Sequence, residues 1–269
     1  MDAKFPQPPK KRNLYKELGV VKDVLSLLHP RVRKIDTSLT GTEKPIMLIP
    51  GLGVDGRFFK PMNRYIEAHN YKVFDWGLGV NDAGFYRNFS EKDITIKWHP
   101  DAEKRGKPIH KNELGVAFLC SQAMKNAKVL SQRLNQKLVL LGWSLGGFIA
   151  REVARAIPEC IEQVITFGSP VVGGPKYTAV AWRFRRFGVD VDWIAEEIKC
   201  LDAEPIRVPI TAIYSKNDAI VHYSASLDKL SPNVRHIEVN SCHLGMGFSF
   251  EVWRAVLHAL KDLPENATY

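Results

Sequence analysis

The segment KLVLLGWSLGG, residues 137–147, is the most informative part of this sequence about its fold. Its first seven residues form a short, mostly apolar run that leads directly into Gly-x-Ser-x-Gly and then into a segment with helical periodicity, 145–157. A serine on a sharp strand-to-helix turn projects its hydroxyl above the sheet, and side chains two residues before and after it would collide with neighbouring backbone. Gly142 and Gly146 meet that requirement, so the pattern predicts that Ser144 is a nucleophile.

Strand-like and helix-like segments alternate on both sides of this stretch. The predicted strands are 46–50, 72–76, 137–143, 162–167, 208–214 and 234–239. The predicted helices are 57–69, 112–135, 145–157, a short one near 222–230, and 249–262. Short apolar strands separated by helices imply right-handed βαβ units and a mostly parallel central sheet with helices on both faces. The predicted fold class is therefore α/β, in one domain over residues 45–269.

Two segments interrupt this alternation. Residues 87–111 are polar and charged, which predicts a surface insertion. Residues 171–205 are rich in aromatic and aliphatic side chains, among them Trp182, Phe184 and Phe187. We expect this second segment to form either a small cap over a pocket or an extra helical pair packed on the body.

Residues 1–44 precede the domain as a basic arm. Nine Lys and Arg against three acidic residues in 1–34 account for most of the formal net charge of +9. Apolar residues at three- and four-residue spacing predict an amphipathic helix that ends near His29 and Pro30. They are Leu14, Leu18, Val21, Val24, Leu25 and Leu28. The arm is either a solvated tail whose helix packs on the domain, or an interfacial helix with a basic flank on anionic membrane; nucleic acid is not the expected partner.

A serine at its ordinary pKa needs a base to take its proton and an acid to orient that base. Asp218 follows the predicted strand 208–214, and His243 follows the predicted strand 234–239. Both lie where loops leave the carboxyl ends of strands, beside the serine turn. The sequence therefore predicts Ser144, Asp218 and His243 as the catalytic residues.

Other residues compete for the acid and base roles. His236 and His258 lie inside a predicted strand and a predicted helix, and His222 lies only four residues after Asp218, so each is better explained as structural. Asp190 and Asp192 lie in the cap segment. Asp202 and Glu204, just before strand 208–214, remain alternatives for the acid.

A tetrahedral intermediate requires two backbone N–H groups aimed at its oxyanion. Leu145, which follows the serine, is predicted to supply one, and Leu52 in the glycine-rich loop after strand 46–50 the other. The predicted substrate pocket consists of the residues next to these groups and three tryptophans. They are Gly51, Gly53, Trp76, Trp143 and Trp182.

The composition, 45% apolar and 25% charged, is that of an ordinary globular protein. No window approaches the roughly 18 uninterrupted apolar residues of a spanning helix, and the start lacks the apolar stretch of a secretory signal. We therefore expect a cytoplasmic protein, with peripheral membrane association as the alternative. The four cysteines show no C-x-x-C pairing, so we expect reduced thiols, mostly in the core.

These motifs together resemble the α/β-hydrolase superfamily over residues 45–262. The resemblance rests on IPGLG (49–53), GWSLGG (142–147), Asp218 and His243. Within the superfamily the chain is similar to bacterial esterase/lipase-like hydrolases, through segments such as DWGLGVN (75–81), DAIV (218–221) and HLGM (243–246). It departs from many lipases at Pro50, where they carry histidine.

The resemblance implies an α/β-hydrolase fold with a small cap insertion, and hydrolysis of a small-molecule or lipid carboxylic ester through an acyl-enzyme. No metal or organic cofactor is expected. An acyltransferase would use the same residues and differs only in the nucleophile that accepts the acyl group. A non-catalytic ligand-binding protein with this fold is the third alternative.

Overall fold

The strands form a single parallel sheet. The computed structural model describes residues 7–96 and 108–262. The strands are β1 (Pro45–Ile49), β2 (Lys72–Asp75), β3 (Leu138–Trp143), β4 (Ile161–Phe167), β5 (Ile210–Tyr214) and β6 (Val234–Glu238). Within the described residues these six strands are all parallel and lie in the order β2-β1-β3-β4-β5-β6. Each predicted strand is present, with ends shifted by two residues or fewer.

The helices follow the predicted alternation. They are α1 (Val20–Ser26), α2 (Lys60–Ala68), α3 (Gly115–Leu134), α4 (Leu145–Ala156), α5 (Ala181–Arg186), α6 (Val191–Leu201) and α7 (Phe250–Lys261). The predicted helix 57–69 begins as a 3-10 turn, Gly56–Phe59, and becomes α-helical where a proline occupies its first turn. The predicted helix near 222–230 is only a 3-10 turn, Tyr223–Ser226.

Alternate residues of the strands build two separate cores. Met47 and Ile49 of β1 belong to the core that includes α3 and α4. Ile46 and Leu48 belong to the core that includes α2 and α7. Because successive side chains of a strand point to opposite faces, this division places helices on both faces of the sheet. The fold class predicted from the sequence is confirmed.

The segment 171–205 folds as a 3-10 turn, Gly174–Tyr177, followed by α5 and α6. Phe184, Ile194 and Ile198 are buried in the same core as α3 and α4. The segment therefore covers that core with apolar side chains. The predicted surface insertion 87–111 includes residues 97–107, which lie outside the described residues.

The N-terminal arm attaches to the domain by the polar side of its helical part and by the apolar residues Leu27, Val32 and Leu39 that follow this part. The helical part consists of a 3-10 helix, Lys11–Gly19, followed by α1. The apolar residues of the predicted amphipathic face are 40–73% exposed. Glu17 and Asp23 are buried instead. Of the two alternatives for this helix, packing of its apolar face on the domain is therefore contradicted, because the surface beneath the helix presents hydrogen-bond donors to Glu17 and Asp23.

Among residues 7–96 and 108–262, no helix combines the length and the apolar composition needed to cross a bilayer. All four cysteines are free thiols. Cys120 and Cys242 are buried, whereas Cys200 is exposed.

Candidate active site

Ser144 lies on the sharp turn between β3 and α4. Its backbone has φ 53° and ψ −125°, a conformation that L residues rarely adopt. A Cβ on Gly142 would collide with the backbone of Gly147, and one on Gly146 would collide with the carbonyl oxygen of Ile49. The two glycines of the motif therefore allow β3, α4 and the end of β1 to approach closely enough to form the turn.

The loop after β1 lies directly against this serine. β1 has β2 and β3 as neighbours on opposite sides, so the chain reverses direction across the sheet here and leaves a crevice at the carboxyl ends of β1 and β3. A Cβ on Gly51 would lie 3.0 Å from the Cβ of Ser144. The buried Asn81 holds this loop. Its side-chain Nδ2 donates to the Pro50 carbonyl at 2.7 Å, and its backbone carbonyl accepts from Gly53 N at 2.7 Å.

Three side chains from three loops form one series of hydrogen bonds. His243 Nε2 lies 3.1 Å from Ser144 Oγ, and His243 Nδ1 lies 2.7 Å from Asp218 Oδ2. A carboxylate can only accept, so Nδ1 carries the proton and Nε2 of the neutral imidazole accepts from the serine hydroxyl. The second oxygen of Asp218 accepts from the N–H groups of Ile220 and Val221, at 2.9 and 2.7 Å, which fixes the carboxylate.

The pKa of His243 lies above the ordinary value of 6.5. Burial lowers this pKa, but the charge and hydrogen bond of Asp218, together with the charge of Glu17, more than offset the effect. An imidazole that gains a proton readily and has a fixed tautomer can remove a proton from a serine hydroxyl and later return it.

Two of the competing residues, Asp202 and His222, interact with other side chains. Asp202, an alternative acid in the sequence, forms ion pairs with Arg151 and Arg155 at 3.5 and 3.4 Å. Burial raises the pKa of Asp202 to about 6, against the lowering effect of those arginines. His222 Nδ1 lies 2.7 Å from the hydroxyl of Ser224. The structure therefore places Asp218 against His243, as the chain order predicted.

A cavity opens beside Ser144, and its walls are almost entirely apolar. Leu52 and Leu145, the residues predicted to supply oxyanion N–H groups, line it together with the serine. The rest of the apolar wall comes from α3, α4, the 171–205 segment and the loop after Asp218. Its residues include Val116, Phe148, Val180, Phe184, Val189, Ile194, Ile198, Ile220 and Val221. Such a cavity suits a hydrocarbon group bound next to the serine hydroxyl.

The predicted pocket tryptophans do not line this cavity. Trp76 is completely buried, and its indole N–H donates to the Gly79 carbonyl at 2.8 Å. Trp182 is 54% exposed on the outer side of α5. Trp143 is buried beside the imidazole of His243, with ring centroids 5.0 Å apart. These predictions were wrong because aromatic character does not reveal which side of a helix or strand faces the cavity.

Gly51 and Gly53 also lie outside the cavity wall, although they shape the loop that carries Leu52. A Cβ on Gly51 would lie 2.6 Å from the ring of Trp143, and Gly53 has a φ of +85° that favours glycine. Their contribution is to the backbone path rather than to contact with a ligand.

Sequence reasoning missed two buried carboxylates near the site. Glu113, in the cavity wall, accepts from the N–H groups of His110 and Asp190 at 2.7 and 2.9 Å, and so ties the start of α3 to the 171–205 segment. Glu17 of the arm reaches the loops of Asp218 and His243. Neither residue belongs to a motif, and both resemble ordinary surface glutamates in the sequence.

Within the described parts of the chain, no group of three His, Cys, Asp or Glu side chains is arranged to hold a metal ion.

No protein-family model matches the sequence, and no curated protein matches it. Solved structures are similar in fold. The monoacylglycerol lipase of Paleococcus ferrophilus has 16% identity and a TM-score of 0.50 over 82% of this chain and 96% of its own. A structure of the metagenome-derived lipolytic enzymes LipS and LipT has 12% identity and a TM-score of 0.52 over 83% and 96%. The α/β-hydrolase MGS-MChE2, from a lagoon-sediment metagenome, has 18% identity and a TM-score of 0.50 over 82% and 91%.

Identities this low establish the fold alone. The chain has the α/β-hydrolase fold, as the resemblance of its sequence predicted.

Proposed function

We propose that this protein is a serine hydrolase that cleaves carboxylic esters through an acyl-enzyme on Ser144. One observation carries the proposal. The hydrogen-bond series from Ser144 through His243 to Asp218 lies at the wall of an apolar cavity, with distances of 3.1 and 2.7 Å.

In the first half of the proposed reaction, Ser144 Oγ attacks the ester carbonyl carbon while His243 Nε2 takes the serine proton. The Asp218 carboxylate stabilises the resulting imidazolium. The N–H groups of Leu52 and Leu145 stabilise the oxyanion of the tetrahedral intermediate. The carbon–oxygen bond to the alcohol then breaks, and the alcohol leaves with the proton from Nε2.

In the second half, His243 takes a proton from water, and the resulting hydroxide attacks the acyl carbonyl. Collapse of this second intermediate releases the carboxylic acid, and the proton returns to Ser144. Water and ester are the only reactants, so the cycle balances.

The cavity supports an apolar acyl group as the part of the substrate that is recognised. Aliphatic and aromatic side chains beneath the 171–205 segment would bury a hydrocarbon chain, at about 0.8 kcal/mol per buried methylene group. The proposed substrate class is therefore an ester, including a lipid ester, with an acyl chain longer than acetyl.

The arm supports a membrane as the place where such a substrate is met. We propose that its exposed apolar residues rest on an anionic phospholipid surface. Lys10, Arg12, Lys22 and Lys34 are exposed around these residues. Within residues 7–34, the acidic residues are Glu17 and Asp23, and both are turned into the domain. The outward surface of the arm is thus apolar and cationic, which complements anionic headgroups.

The test of the proposed reaction is a matched set of activity and labelling measurements. Purified protein should hydrolyse p-nitrophenyl butyrate and react with a fluorophosphonate probe, and Ser144→Ala should lose both, with activity reduced by about 10³-fold or more. Ser224→Ala is the matched serine control and should retain both. Undiminished hydrolysis by Ser144→Ala would contradict the proposal. Addition of a competing alcohol to the wild type, with analysis of the products, separates hydrolysis from acyl transfer.

A further inference from the structure

A carboxylate of the N-terminal arm is inserted between the loops that carry Asp218 and His243. Glu17 lies on the 3-10 helix Lys11–Gly19 and is buried. Its Oε1 accepts from Ala219 N at 2.9 Å and from His243 N at 3.2 Å. Its Oε2 accepts from Leu244 N at 2.9 Å. One side chain therefore binds three backbone N–H groups, more than 200 residues away in the sequence.

We infer that Glu17 is a positioning residue that holds the Asp218 loop and the His243 loop in the relative placement on which the proposed reaction depends. The inference rests on the proposed function. The arm is then a structural part of the active site, although it lies outside the sheet and its helical layers.

The geometry explains why a carboxylate serves here. The two loops leave different strands, β5 and β6, and the backbone next to Asp218 and the backbone of His243 itself both direct N–H groups toward the arm. A carboxylate has two oxygens that accept several hydrogen bonds, and bonds to a charged acceptor are roughly twice as strong as neutral ones. Without it, buried N–H groups would lack a partner, and the loops would have to move to find one.

A second carboxylate, that of Asp23, anchors the arm but accepts from none of the three backbone N–H groups that Glu17 binds. Asp23 Oδ2 accepts from the hydroxyl of Ser241 at 2.8 Å, two residues before His243. Burial raises the pKa of Asp23. Of these two buried carboxylates, Glu17 is the one that hydrogen-bonds the backbone of His243.

The charge of Glu17 gives the inference a signature that a purely structural role would lack. The charged groups that raise the pKa of His243 are Asp218, from the loop after β5, and Glu17, from the arm. The neighbouring thiol of Cys242 is neutral, because burial raises its pKa to about 12. The proposed reaction needs a neutral imidazole, so kcat/KM falls as pH drops through the pKa of His243. Removing the charge of Glu17 lowers that pKa and extends activity to lower pH.

The experiment compares Glu17→Gln and Glu17→Ala with Glu251→Gln. Glutamine keeps the shape and one acceptor oxygen but removes the charge, whereas alanine removes both. Glu251 is the matched control, because its exposed carboxylate accepts from Asn240 N, in the same loop, at 3.0 Å. Kinetics on a short water-soluble ester and rates of fluorophosphonate labelling are measured across pH, with urea unfolding as the check on folding.

We expect kcat to fall about tenfold in Glu17→Gln and further in Glu17→Ala, with KM changed by about twofold or less, because alignment rather than binding is lost. The acid limb of kcat/KM and of labelling moves to lower pH in Glu17→Gln and stays in place in Glu251→Gln. If Glu17→Ala does not fold, Glu17→Gln alone decides.

Labelling separates the two possible failures. A wild-type protein that never reacts with the probe contradicts the proposed function. A wild-type protein that reacts, together with a folded Glu17→Gln that reacts at the same rate with the same pH profile, overturns the inference about Glu17.

Discussion

The N-terminal arm and the 171–205 segment are both short helical pieces outside the sheet, with apolar residues at helical spacing, yet they use these residues in opposite ways. The 171–205 segment buries Phe184, Ile194 and Ile198 in the core and around the cavity. The arm leaves Leu18 and Leu28 each 73% exposed. Hydrophobic periodicity predicts that a helix has two different sides, but it does not determine which side faces the protein.

The surface beneath each segment explains the difference. The 171–205 segment covers the apolar side chains of α3 and α4, so aliphatic and aromatic residues attach it. The helical part of the arm covers two loops that direct backbone N–H groups toward Glu17 and the hydroxyl of Ser241 toward Asp23, so these two carboxylates attach it. Buried N–H groups need acceptors, and this requirement outweighs the burial of a few leucines.

The comparison predicts the strongest contrast in stability for two truncations to alanine, one in each segment. Phe184→Ala should lower the free energy of unfolding by about 3 kcal/mol, because it leaves a cavity in the core. Leu18→Ala should change it by less than about 0.5 kcal/mol, because Leu18 has little packing to lose. Urea denaturation of both variants measures the difference. Equal losses would show that the apolar residues of the arm are packed in solution.

The next effect concerns the cavity beneath the 171–205 segment. Val180→Trp, which adds bulk to the cavity wall, should reduce kcat/KM for an octanoyl ester about thirtyfold relative to an acetyl ester, since long acyl chains lose their space. Val129→Trp is the matched control, because Val129 is exposed on α3, and it should leave the ratio unchanged. If Val180→Trp leaves the ratio of the two kcat/KM values unchanged, the acyl group binds outside this cavity.

The smallest effect concerns the outward face of the arm. Leu18→Asp should weaken binding to phosphatidylglycerol vesicles about tenfold, because it replaces an apolar contact with a negative charge. Leu230→Asp, at an exposed leucine remote in sequence from the arm, is the control and should bind like the wild type. Vesicle co-sedimentation measures both, and phosphatidylcholine vesicles test the role of charge. Unchanged binding by Leu18→Asp, or no binding by the wild type, would contradict the proposed membrane contact.

The main elements of the site could be predicted because their signals are local. The glycines around Ser144 indicate a backbone turn that few other sequences can form. The positions of Asp218 and His243, each after a strand, follow from chain order in a parallel sheet. The tryptophans show the limit of this reasoning. Trp76 and Trp182 have the same apolar character, but one lies in the core and the other faces solvent.

The parallel sheet, the serine turn and the order of the residues that contact it could be predicted from sequence, because they depend on periodicity, glycine placement and chain order. Three features become visible only in the folded protein: the set of apolar residues that enclose the cavity, the contact of Asn81 with the loop beside Ser144, and the contacts of Glu17 with the loops of Asp218 and His243. All of these contacts join residues distant in the chain, and those of Asn81 and Glu17 satisfy backbone groups. The direction in which a backbone N–H points is a property of the folded loop and not of its residue types.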